Sequence, residues 1–147
     1  MILYFDITHA IIEHNKVLIL SWTIEGKGGL SGIKEMWNLS SALDTMQNDD
    51  YYPTFEEKLT KLLFSTNKNH AFNDGNKRTS LALGAYFMVL NGYSYCIDRF
   101  FEKMENITVD IANNKIAQEM LLEIITSILY EEDYSEELKI KLIQSIS

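Results

Sequence analysis

A single cysteine and a single proline stand in a chain of 147 residues. One thiol, Cys96, excludes an intramolecular disulfide and with it the small disulfide-stapled scaffolds; a reduced compartment fits. Cys96 follows an apolar run and reads as a small core residue rather than a nucleophile. Basic residues are also scarce: 13 Lys and Arg face 21 Asp and Glu, for a formal net charge of -8. Non-specific nucleic-acid binding draws its affinity from Lys and Arg that neutralise phosphates, so this balance argues against a nucleic-acid partner. An acidic surface suits a basic protein partner instead. No stretch reaches the uninterrupted apolar length of a membrane span. Met1 to Asp6 lacks the basic n-region of a signal peptide. The expectation is a soluble cytoplasmic protein with no membrane partner.

What is present is apolar residue, at 46% of the chain, enough to fold residues 1–147 as a single domain around one core. Scarce proline and apolar residues recurring at three-and-four spacing predict an all-α fold. Ile7, Ala10, Ile11, His14, Val17 and Leu18 share one face of a helix predicted from Ile7 to about Ile24. The alternation Leu18, Leu20, Trp22, Ile24 leaves a strand open for its second half. Gly26, Gly28 and Gly29 then mark a loop, and Ser31 to Ile33 is expected to be extended or turning. A short helix is predicted from Leu39 to Met46, with Asn48, Asp49 and Asp50 as a polar turn.

Thr54 followed by Glu57 forms a capping box, and Phe55, Leu59, Leu62, Leu63 and Thr66 continue at helical spacing to about Asn69. A loop from His70 to Asn76 leads into a helix from about Lys77 to Leu90, closed by Asn91-Gly92. That helix is apolar nearly all round, which predicts a buried, central position. Ile97 to Asn106 reads as irregular or helical. Ile111 to Tyr130 reads as one amphipathic helix with Ile116, Met120, Leu121, Ile124, Ile125, Ile128 and Leu129 inward. A last short helix is predicted through Leu138, Ile140, Leu142 and Ile143, with a solvated acidic run before it.

The chemistry concentrates in the loop between the two strongest helices, His70-Ala71-Phe72-Asn73-Asp74-Gly75-Asn76-Lys77-Arg78. Backbone N–H groups at a helix start have no intrahelical partners, and the helix dipole is positive there. Such an end is a ready anion site. Gly75 lets a phosphate approach the backbone, and Lys77 and Arg78 add positive charge. Asp74 is a poor direct neighbour for phosphate but a useful one through Mg²⁺. His70 could accept the proton of an attacking hydroxyl. Phosphoryl chemistry needs mainly positioning and charge stabilisation, and this set supplies both. Taken singly, each residue also fits an ordinary helix–helix turn. Their joint placement before a buried helix points to a site.

That run, continuing through Thr79-Ser80-Leu81, resembles the signature of Fic-domain proteins in the form found in their Doc (death on curing) branch. The resemblance extends upstream through Tyr51 to Lys58 and Gly28 to Ile33, and covers roughly residues 5 to 130. It implies a compact helical bundle with the motif loop before a central helix. It further implies His70 as general base, Phe72 as the plug that anchors the loop, and Asp74 as the Mg²⁺ ligand. Gly75, Asn76, Lys77 and Arg78 would hold the phosphates of ATP or another nucleoside triphosphate. Gly29, Leu30, Ser31, Gly32 and Ile33 would form the flap that aligns a target backbone. AMP-transferring Fic proteins usually carry glycine where this chain has Lys77 and a second arginine where it has Leu81. Those departures imply Doc-like phosphoryl transfer to a Ser or Thr of a protein, such as a translation factor, under control of a small antitoxin. AMP transfer (AMPylation) and an inactive protein-binding module are the alternatives. Ser21-Trp22-Thr23-Ile24-Glu25-Gly26 resembles the inhibitory motif of self-restrained Fic proteins, but Leu81 removes the arginine its glutamate would pair with.

Overall fold

The computed structural model describes residues 1–5, 36–69 and 76–147. The expectations for Ile7 to Ile24, the glycine loop and Ser31 to Ile33 lie outside the described residues. Among the described residues every regular element is helical, in line with the all-α expectation. In chain order they are α1 (Met36–Thr45), α2 (Phe55–Asn69), α3 (Asn76–Leu90), a 3₁₀ turn (Ser94–Cys96), α4 (Ile97–Ala112), α5 (Gln118–Tyr130) and α6 (Glu136–Ile146).

α1 starts earlier than the apolar spacing suggested and buries Ala42 and Leu43; Met46, just past its end, is buried too. The polar turn forms as expected: Asn48 Oδ1 accepts from the backbone N–H groups of Asp50 (2.9 Å) and Tyr51 (3.3 Å). α2 begins at a side-chain cap. Thr54 Oγ1 accepts from the Glu57 N–H at 3.3 Å and donates to the Glu57 carboxylate at 2.8 Å. Glu56 and Glu57 lie in its first turn, where carboxylates complement the dipole. Its apolar face, Phe55, Leu59, Leu62 and Leu63, is buried, but so are Lys58, Thr60, Ser65, Thr66 and Asn67. α2 packs against α1, α3, α4 and α5, so its nominally polar side is enclosed too. Lys58 is accommodated because its ammonium donates to the Met46 carbonyl (3.3 Å) and Asp49 (2.7 Å), while its stem lies in the core.

α3 runs back along α2. Phe55 stacks on Phe87 (4.8 Å between centroids) and on Tyr93 (4.4 Å) at one end of the pair. Gly84 leaves no room for a side chain between α2 and α4: a Cβ there would stand 2.8 Å from Leu63 Cδ2 and 3.1 Å from Phe100 Cζ. Leu83, Phe87 and Met88 are fully buried, whereas Val89 is 54% exposed, so the apolar surround is not completely covered. Asn91-Gly92 closes α3 as expected. Gly92 has φ +87°, and the Tyr93 N–H reaches the Met88 carbonyl at 2.9 Å. Asn91 also holds the chain start, donating to Leu3 O (3.0 Å) and accepting from Leu3 N (2.8 Å), which seats Phe5 beside Tyr86 and Phe87.

Of the two readings open for Ile97 to Asn106, the helical one holds, and the helix continues to Ala112. One downstream expectation is corrected. Ile111 to Tyr130 is not one helix: Asn114 takes φ +61° and the Lys115 N–H bonds the Asp110 carbonyl, a left-handed cap that ends α4 before α5 starts. The inward set of α5 is otherwise as predicted, with Met120 only partly covered. In α6, capped by Ser135, Leu138 is buried and Leu142 partly so. Ile140 and Ile143, which lie on the last helix as expected, are exposed. Cys96 is buried, and burial pushes its thiol up from the usual range, as fits a core residue. Among the described residues no helix is long and apolar enough to cross a membrane.

Candidate active site

α2 ends at Asn69 and α3 starts at Asn76, so the motif spans the turn between two antiparallel helices. His70, Phe72, Asp74 and Gly75 lie outside the described residues, as do Gly29 to Ile33 and the Ser21–Glu25–Gly26 pattern. Asn76, Lys77 and Arg78 occupy the first turn of α3. The three expected phosphate-binding residues of this turn are thus gathered where backbone N–H groups are unpaired by helix geometry. That turn contains no acidic residue. Lys77 and Arg78 are set at the positive end of the dipole, the end that ordinarily favours carboxylates. A helix start of this kind is electrostatically matched to an anion from outside.

The ends of the motif turn are fastened by residues that the sequence reading passed over. Asn67 Nδ2 donates to the Leu63 carbonyl (2.8 Å) and to Ser80 Oγ (2.7 Å). Ser80 Oγ in turn donates to Leu63 O at 3.5 Å. Asn67 and Ser80 are 1% and 0% exposed, so this bracket works in a low-dielectric setting where hydrogen bonds are strong. It ties the last turns of α2 to the first turns of α3. Asn67 Oδ1 is buried without a partner, a few residues before His70. Lys68, on the same turn, bonds Asn114 Oδ1 at the cap of α4. A polar pair one helical step to either side of the motif was the available signal in the sequence, since both residues fall on the face shared by α2 and α3.

The opposite end of the pair is polar, and its groups bond one another. Tyr93 and Tyr130 share a hydroxyl contact at 2.9 Å, and Tyr130 donates to Glu56 Oε1 at 3.1 Å. Burial, then the Tyr93 hydrogen bond and the Glu56 charge, push the Tyr130 phenol far above its ordinary range. It stays protonated and serves as a donor rather than a proton acceptor. Among the described residues no group of His, Cys, Asp and Glu is assembled to hold a metal ion.

Comparison with known proteins bears on the same stretch. Residues 32–88, which include α1, α2, the motif and most of α3, match the model of the Fic/DOC family. The chain is also 35% identical over 68 residues to a Toxin Doc of Mycolicibacterium smegmatis, an overlap of 46% of this chain and 52% of that protein. The chain therefore spans about half the length of the curated relative it matches. No solved structure matches it significantly. Over residues 32–88 the chain is thus similar to the Fic/DOC family, and the matched stretch contains the motif and the helix start that follows it.

Proposed function

We propose that residues 1–147 form a Doc-like toxin domain, core about 5–130, that moves a phosphoryl group from a nucleoside triphosphate to a Ser or Thr hydroxyl of a target protein. The observation that carries this reading is the first turn of α3, where Asn76, Lys77 and Arg78 follow Gly75 and the turn itself holds no acidic residue. Phosphate is the anion such a turn suits best, because the N–H groups, the dipole and the two cations act on the same oxygens. His70 is proposed as the general base for the attacking hydroxyl. Phe72 is proposed as the loop anchor and Gly29 to Ile33 as the flap along which the target backbone lies. Asp74 offers a hard carboxylate oxygen of the type Mg²⁺ takes together with phosphate oxygens, and the ion would neutralise charge on the phosphates.

Lys77 and Leu81 favour phosphoryl over AMP transfer. Lys77 adds bulk and charge at the helix start, and Leu81 offers no grip for a terminal phosphate in the AMP-transfer pose. The terminal phosphorus then faces His70. Restraint is assigned to a separate small antitoxin rather than to Glu25, because Leu81 leaves that glutamate without an arginine. A cytoplasmic setting goes with this reading. The test is label transfer from ATP to proteins of a bacterial lysate. Label from the γ position on protein Ser or Thr is expected. Label from the α position, with a mass gain matching AMP, would reverse the choice in favour of AMPylation. Transfer of neither would favour the inactive binding module. Glu25→Gly should leave the rate of the isolated protein unchanged; a large gain would assign inhibition to the internal motif.

A further inference from the structure

Away from the motif, the N-terminal half of α2 and the first turn of α5 enclose a cleft of about 240 Å³. Its wall is formed chiefly by Tyr51, Tyr52, Glu57, Thr60, Gln118 and Glu119. Glu57 and Glu119 supply two carboxylates, and among the described residues no basic one is part of the wall. The two tyrosines supply ring faces. That of Tyr52 already lies 5.9 Å from the Lys61 ammonium, so the ring is oriented to receive a cation from at least one side. Tyr51 is 74% exposed. Thr60, at 2% exposure, has a hydroxyl with no hydrogen-bond partner, although helical threonines usually bond the preceding turn, as Thr66 and Thr126 do. A buried hydroxyl without a partner costs stability unless a ligand or water completes it.

Two internal roles account for part of this wall. Glu57 caps α2 through Thr54, and Glu119 complements the start of α5, where Ala117 offers no side-chain cap. Neither role uses the tyrosine faces, the Thr60 hydroxyl or the cleft itself. We infer that this cleft is a binding site for a guanidinium group, an arginine side chain presented by a protein partner. A planar guanidinium pairs with carboxylates through a fork of donors and stacks on aromatic faces, the two chemistries the wall provides. The -8 charge of the chain would draw such a partner in. The site is separate from the motif, so it does not rest on the proposed transfer reaction.

The probe is N-acetyl-arginine methylamide, titrated into the intact ¹⁵N-labelled protein. Saturable shifts of the Tyr51, Tyr52, Thr60 and Gln118 amides are expected, with the neutral citrulline analogue roughly tenfold weaker or worse. Glu119→Gln should weaken arginine binding severalfold. Thr60→Val should leave the melting temperature unchanged or raised, having no bond to lose, while arginine binding falls. Equal binding of the arginine and citrulline probes would overturn the inference, as would shifts elsewhere on the surface or no saturable shift. A site for a side chain alone makes no use of the α-ammonium and α-carboxylate of free arginine, so the capped probe should bind at least as tightly. Tighter binding of the free amino acid would overturn the assignment to a protein side chain.

Discussion

The two ends of the α2–α3 pair are built on opposite electrostatic plans. At the end where α2 starts, Thr54 and Glu57 satisfy the helix, Glu56 and Glu57 match its dipole, and Phe55 is stacked between Phe87 and Tyr93. The helix start itself is completed by the chain's own side chains. At the end where α3 starts, two cations stand in the first turn and no acid does. The first helix start is capped from within the chain, whereas the second has the residue types that suit an anion from outside. Strain against the local electrostatic preference is tolerated where function uses it. The price of that arrangement is met by packing along the shared face, through Leu63, Gly84, Phe100 and the Asn67–Ser80 bracket.

Four substitutions break or sharpen this contrast, taken from the largest expected effect down. His70→Ala should lower transfer roughly 10²–10⁴-fold while the melting temperature holds, if His70 acts as the proposed general base. A variant with wild-type transfer would remove His70 from the mechanism. Phe55→Ala, at the capped end, should do the reverse, costing about 3–5 kcal/mol in denaturant unfolding with nucleotide affinity kept in the folded fraction. Similar losses of affinity and stability would mean that the ends are not separable. Thr54→Ala should cost about 1 kcal/mol and leave ATP binding unchanged, measured as the nucleotide-induced rise in melting temperature.

Lys77→Ala gives the smallest shift in stability and the sharpest contrast. Removing a cation from the positive end of a dipole should stabilise the ligand-free protein by ~0.3–1 kcal/mol. The same change should shrink the rise in melting temperature on adding ATP with Mg²⁺. A destabilised variant that responds fully to ATP would contradict the anion reading of this turn.

Local signals in the sequence were good guides wherever the deciding residues are neighbours in the chain. Thr54 with Glu57 and Asn91 with Gly92 mark their helix ends because caps form within a turn. Asn113-Asn114 carried a similar signal and was read through, because the apolar spacing from Ile111 onward continued a helical period across it. The exposure of Ile140 and Ile143 could not be read off in this way. Spacing identifies an apolar stripe, but not whether another helix lies over it. The motif was legible as a set of residue types, yet the Asn67–Ser80 bracket that fastens its ends was not, since its partners are thirteen residues apart in the chain and meet only when α3 folds back on α2.

By itself, then, the sequence determined the helical class, the main helix ends and the placing of a phosphate-friendly motif ahead of an apolar helix. These follow from hydrogen bonding and periodicity over a few residues. Only the tertiary structure decided that Lys58 is a core residue, that α2 is enclosed on its polar side, and that Thr60 is left with an unpaired hydroxyl beside an acidic, aromatic cleft. The physical reason is that burial belongs to no residue alone. A lysine or threonine on a helix is solvated or enclosed according to which other elements pack over it, and those elements come from α1, α4 and α5, far away along the chain.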